Sequence, residues 1–141
     1  MTFSDTSAIY AVLDSVDENH PRAGLAWLRL LDSGEPLITT NYVVVECCAL
    51  TQRRLGLPAL RALQDEILPM MTIHWIDKAA HTTAVNALLV ANRSKLSLVD
   101  CSSFVVMRQL GLQSAFAFDR HFDQEGFHFP KAGGSNSDHA G

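Results

Sequence analysis

Asp5, Glu46, Asp100 and Asp119 stand where carboxylates are costly. Each lies at or near the end of an apolar run or within an apolar helix face, and burying an ionised carboxylate without a partner is strongly unfavourable. Two carboxylates about 4 Å apart repel by roughly 4 kcal/mol at an effective dielectric near 20. A fold that gathered all four would build an anionic pocket with no value as a stabilising device. Bound Mg²⁺ or Mn²⁺ would resolve the conflict, because hard cations take oxygen ligands. A carboxylate-held metal activates water and grips phosphate. Two such metals roughly 3.5–4 Å apart serve in-line phosphodiester hydrolysis without a nucleophilic side chain.

Each acid also has a purely structural reading. Asp5 opens Asp-Thr-Ser ahead of a helix and suits an N-cap. Ser97 and Asp100 have the spacing of a capping box. Asp119 suits a cap as well, and Asp123, four residues on, shares its face if a short helix forms there. Asp123 is equally suited to solvent or to pairing with Arg120. Glu46 has Tyr42, Val43, Ala49 and Leu50 as helix neighbours, so it points to the core side or to a cleft, unless it sits at a helix border paired with Arg53. The chain contains no GxSxG, Walker loop or HExxH sequence. Its histidines (His20, His74, His81, His121, His128 and His139) lack ligand spacing, and His121, though near Asp119, is read as a surface residue.

The elements that must position these acids alternate between short strands and helices. Strand-like runs cover residues 2–5, 37–39, 71–76 and 114–118, with 127–129 as a last edge strand. Helical patterns cover residues 6–14, a segment capped by Asn19 and ended by Gly34, 41–55 closed by Gly56, 58–68 opened by Pro58, 78–91 capped by Asp77, and 98–110 ended by Gly111. No hairpin signal joins successive strands, so the crossovers imply a parallel sheet in a three-layer α/β/α sandwich. In such sheets function gathers outside the carboxyl ends of the strands.

The bulk properties fit one domain over residues 1–130. The chain has 141 residues, 48% hydrophobic and 18% charged, with a formal net charge of −4. Residues 131–141 are small, polar and glycine-rich, the composition of a disordered tail or a vector-derived remnant. No run is long enough for a membrane span and the N-terminus has no signal-peptide pattern, so a cytoplasmic protein is expected. Three cysteines without CxxC spacing read as reduced, buried thiols. The acidic balance disfavours a broad nucleic-acid face but allows a local one, with Arg53, Arg54, Arg93, Lys95, Arg108 and Arg120 as rim candidates.

Four segments together carry a family resemblance. Asp5-Thr6-Ser7-Ala8 after the first strand, Tyr42-Val-Val-Val-Glu46, Leu96-Ser-Leu-Val-Asp100 and Phe118-Asp119-Arg120-His121-Phe122 match, in order and spacing, the four acidic motifs of PIN domains. The match spans residues 2–130, and the small size resembles VapC-type toxins of bacterial toxin–antitoxin pairs. The resemblance implies a Mg²⁺- or Mn²⁺-dependent endoribonuclease, a homodimer, held inactive by a cognate antitoxin. It makes Asp5, Glu46, Asp100 and Asp119 the acidic quartet. Asp5 and Asp100 are then the direct metal ligands, Glu46 and Asp119 act through water or a second metal, Asp123 is an auxiliary acid, and Ser7 hydrogen-bonds within the site. One departure is Ala117, where the family often carries Ser or Thr. Competing readings are a PIN-like scaffold without catalysis, a PIN nuclease of RNA processing outside any toxin pair, and a receiver domain. The last would need an adjacent acidic pair after the first strand, where only Asp5 stands. The helices around residues 20–33 and 58–68 carry Trp27, Leu28, Leu31, Leu60 and Leu63, each expected in the core, with a dimer face as the alternative.

Overall fold

A computed structural model describes residues 1–131; of the expected tail only Lys131 falls among them. Strands β1 (Thr2–Ser4), β2 (Leu37–Thr40), β3 (Thr72–His74) and β4 (Ser114–Phe116) form one parallel sheet in the order β3-β2-β1-β4. Because every strand runs the same way, all four carboxyl ends lie on one edge. β1 is central and buried along its whole length, as is β2, which suits strands covered on both faces by helices.

The connections are helical: α1 (Thr6–Leu13), α2 (His20–Ser33), α3 (Asn41–Leu55), α4 (Leu57–Ala62), α5 (Lys78–Ala91), α6 (Leu98–Gln109) and the short α7 (Arg120–Gln124). Helix α1 packs on α2 and α3, and α6 on α5 and α3, completing the expected three-layer α/β sandwich. The stop signals act locally. Gly34 ends α2 with φ 69°, a left-handed turn that costs glycine little, and Asp77 caps α5 by accepting from the Ala80 N–H.

Four expectations need correction. The segment from Pro58 is not one α-helix: it widens into a π-helical turn over Leu63–Ile67 and tightens into a 3₁₀ turn at Leu68–Met70, where Pro69 offers no N–H to continue an α ladder. Residues 127–129 make one parallel bridge, His128 to Ser114, and no strand. Asn19 precedes α2 but its side chain makes no capping hydrogen bond; Asp17 accepts from the Asn19 N–H instead. Leu28 and Leu31 are exposed, whereas Trp27 and Leu63 are buried and Leu60 packs against the core.

The core is rich in aromatic rings. Phe3 of β1 and Phe116 of β4 are fully buried. Phe122 stacks on Phe3 and meets Phe104 of α6 edge-on, with ring centroids 6.4 and 5.0 Å apart. Such contacts matter to the site because Phe122 is three residues past Asp119 and pins α7 against the sheet. Cys47 and Cys101 are buried free thiols and Cys48 is half-buried.

Candidate active site

Asp5 is the first residue beyond β1. Its backbone N–H donates to the Phe116 carbonyl at 3.0 Å, locking the end of β1 to the end of β4. Its side chain caps α1: one carboxylate oxygen accepts from the Ser7 N–H at 3.1 Å and the Ser7 hydroxyl at 2.7 Å. That same hydroxyl accepts from the backbone N–H groups of Phe118 and Asp119, at 2.9 and 3.3 Å. Ser7 therefore ties together two acids 114 positions apart in the chain, in keeping with its expected place in the site.

Asp119 is likewise a cap, and Asp100 is the third helical residue of a capping box. Ser97 and Asp100 make the reciprocal capping box at the start of α6, with bonds of 3.0 and 3.1 Å. Asp119 accepts from the His121 N–H at 2.9 Å and starts α7. Glu46 projects from α3, whose first turn is fixed by the Thr40 hydroxyl accepting from the Val43 N–H. Among the described residues no lysine or arginine lies within salt-bridge distance of any of the four acids, and the Glu46–Arg53 pairing does not form.

The acids lie near enough to act on one another's charge. Burial pushes the Asp5 carboxyl up to about 7; the Ser7 hydroxyl and N–H draw it down in part, and Asp100 and Glu46 repel it further. Burial also raises Glu46, opposed by the nearby Thr6 hydroxyl and reinforced by Asp100 and Asp119. Asp100 is raised by burial and by Asp119, against the Ser97 backbone, the Ser97 hydroxyl and His121, which lower it.

His121, read from sequence as a surface residue, belongs to this pocket. Its side chain is 16% exposed, and Nδ1 lies 2.7 Å from an Asp119 oxygen and 3.8 Å from an Asp100 oxygen. The short approach lacks the alignment of a hydrogen bond, so the buried Nδ1 has no partner. One ligand atom each from Asp100, Asp119 and His121 lie within 4.8 Å of one another. The sequence carried no periodic signal for it, because the five residues of α7 are too few for an apolar period to declare itself. Asp123 is exposed, as its solvated reading from sequence had it, and lies outside the cluster of Asp100, Asp119 and His121, as do Asp5 and Glu46. The turn of α7 that buries Phe122 sends the next residue to solvent.

These residues suit a hard divalent cation. The donors are mainly carboxylate oxygens, no lysine or arginine among the described residues pairs with them, and the buried hydroxyls of Ser4 and Thr6 flank Asp5 without hydrogen-bond partners of good geometry. Buried polar atoms are normally paired, and uncompensated acids in one pocket favour oxygen-seeking metal ions.

A short parallel sheet with acids converging at its carboxyl edge defines a class, and the comparison with known proteins agrees: the PIN domain family model matches residues 2–127, and the chain belongs to that family. Among individual proteins it is similar to the 23S rRNA-specific endonuclease VapC20 of two Mycobacterium tuberculosis strains. Identity is 32% over 129 residues, covering 90% of this chain and 95% of the relative. The crystal structure of Mycobacterium tuberculosis VapC20, described as a sarcin-ricin loop cleaving toxin, superposes with a TM-score of 0.79 at 29% identity, covering 91% of this chain and 97% of that one. FitAcB from Neisseria gonorrhoeae shares the fold, with a TM-score of 0.64, 18% identity and coverage of 92% and 97%.

Proposed function

We propose that this protein is a divalent-metal-dependent endoribonuclease, the toxin of a toxin–antitoxin pair, cutting RNA phosphodiester bonds at the pocket of Asp5, Glu46, Asp100 and Asp119. The observation that supports the reading is the gathering of Asp100, Asp119 and His121, with Asp5 tied to Asp119 through Ser7 and no lysine or arginine among the described residues paired with these acids. The family and the 32% identity to a 23S rRNA-specific endonuclease support it, and make ribosomal RNA the first substrate to test.

In this reading Asp5 and Asp100 hold Mg²⁺ or Mn²⁺ directly, Glu46 and Asp119 complete the site, and His121 supplies a further donor. The bound ion would activate water and neutralise charge building up on the phosphate. The chain's own part is positional. Ser7 fixes Asp5 relative to Asp119, Ser97 orients Asp100, and Phe122 anchors α7 so that Asp119 and His121 stay together. Ala117 leaves the last turn before Asp119 without a side-chain hydroxyl, and the Ser7 hydroxyl binds the neighbouring N–H groups instead. A cognate antitoxin, a homodimer and a cytoplasmic setting belong to the same proposal; among the described residues no helix is long and apolar enough to cross a membrane.

The test is cleavage of purified ribosomal RNA by the protein freed of any antitoxin. Cutting should require Mg²⁺ or Mn²⁺, stop with EDTA and vanish in Asp100→Asn with the fold intact. Cleavage that persists both in EDTA and in the variant would sink the proposal.

A further inference from the structure

A cavity of about 610 Å³ lies on the side of the molecule where β4 forms the sheet edge. One wall is the outer face of α2, the other the chain from His128 to Lys131. Its charge is cationic: Arg22, Arg29 and Lys131 line it, and among the described residues none of these three is paired with a carboxylate. The acid lining it, Glu35, is already engaged, 3.2 Å from the Met1 ammonium and accepting from the Thr2 hydroxyl at 2.8 Å.

One end of the groove approaches the acids through Arg22 and Phe118. At one end the Arg22 guanidinium sits over the rings of Phe129 and Phe118, 4.3 and 5.5 Å from their centroids. Phe118 immediately precedes Asp119, and its N–H is bound by Ser7. At the other end lie Ser114, the first residue of β4, and Glu35, which precedes β2. Arg22 and Arg29 are two helical turns apart, about 10 Å along the axis.

We infer that this groove is the path by which a single strand of RNA leaves the acidic pocket, its phosphates meeting Arg22, Arg29 and Lys131. The inference rests on the endoribonuclease reading above. Charge makes the need concrete. The chain is −4 overall and its pocket is acidic, so a polyanion is repelled unless cations beside the pocket draw it in. Stacked arginine and aromatic planes at the pocket end also offer a surface on which an unpaired base stacks. An acidic protein segment would match the charge, but it would have no use for that stack or for an approach to the catalytic acids.

Arg29 and Lys131 are exposed and hold no element in place, so Arg29→Ala with Lys131→Ala tests the groove without disturbing the fold. A 5′-labelled 20-nucleotide single-stranded RNA, titrated in EDTA at several salt concentrations, should bind the double variant about tenfold more weakly. The slope of log affinity against log salt should fall by about 1.4, the loss of two phosphate contacts on a single strand. With Mn²⁺ the loss in ribosomal RNA cleavage should fall on KM rather than kcat, and Arg29→Lys with Lys131→Arg should restore it. Unchanged affinity and slope in a double variant whose wild type cleaves RNA would overturn the groove and leave the nuclease standing. So would intact RNA binding with lost binding of a polyglutamate peptide, which assigns the groove to an acidic protein partner. A wild type that neither binds nor cuts RNA would remove both readings.

Discussion

Replacing Asp5 by Asn should stabilise the metal-free protein at alkaline pH while abolishing cleavage. Asp5 is 3% exposed and its carboxyl is raised from 3.8 to about 7, chiefly by burial. A group raised on folding supports the fold fully below its unfolded value, and that support is lost as pH climbs through the folded value. The stability of the metal-free wild type should therefore fall between about pH 4 and pH 7. A rise of about three units at 1.36 kcal/mol each corresponds to about 4 kcal/mol as an upper bound. Local relaxation lowers this, so about 2–4 kcal/mol is expected. Asn keeps an oxygen for both Ser7 bonds, and its new amide protons face a pocket of carboxylates. For a chain of this length the gain amounts to a rise in Tm of roughly 6–12 °C. The assay is thermal or urea unfolding in EDTA at pH 5, 6, 7 and 8 for both proteins. Glu46 and Asp100 are also raised and remain in the variant, so the informative quantity is the difference between the curves, which should open with pH. Added Mn²⁺ should then stabilise the wild type above pH 7 and the variant little. Parallel curves, or a variant less stable at pH 8, would refute the reasoning that Asp5 is held at a cost for binding a cation.

Ser7→Ala removes the hydroxyl that bridges Asp5 to the Phe118 and Asp119 N–H groups; unfolding should show a loss of about 1–3 kcal/mol, and Mn²⁺ titration about tenfold weaker binding. His121→Ala should leave far-UV circular dichroism and Tm nearly unchanged yet lower Mn²⁺ affinity and cleavage by about tenfold or more; unaltered cleavage would return His121 to the surface role read from sequence. Phe122→Ala opens a cavity among Phe3, Phe104 and Phe127 and should cost about 3–5 kcal/mol in urea unfolding, with cleavage falling even where the variant remains folded, because α7 loses its anchor.

The capping readings of the acids do not exclude the proposed functional ones. Asp5 and Asp119 each cap a helix, and Asp100 completes the capping box of another. This follows from parallel α/β architecture, in which residues at the carboxyl edge of the sheet also open the next helix. A cap holds a carboxylate in a fixed direction, and a site needs such fixed carboxylates. Where sequence reasoning failed, at His121, the missing information was rotational. The exposure of Asp123 and the burial of His121 are set by which face of the five-residue α7 Phe122 turns to the core, and a helix that short has too few residues for an apolar period to declare itself. The break after Ala62 went unread for a related reason: the apolar pattern continues through Leu63 and Ile67 while the backbone changes its turn.

By itself the sequence determined the alternation of strands and helices, most helix ends, the parallel sheet and the identity of the four acids, because caps, glycine stops and apolar runs act over a few residues. The order and spacing of the motifs carried the family resemblance. Only the tertiary structure decided that residues 5, 46, 100 and 119 act on one another, that His121 joins Asp100 and Asp119, and that Arg22, Arg29 and Lys131 line one groove. Those relations depend on the sheet order β3-β2-β1-β4 and on aromatic packing between residues more than 100 positions apart. Such contacts form only when the core closes, and no local pattern of side chains encodes them.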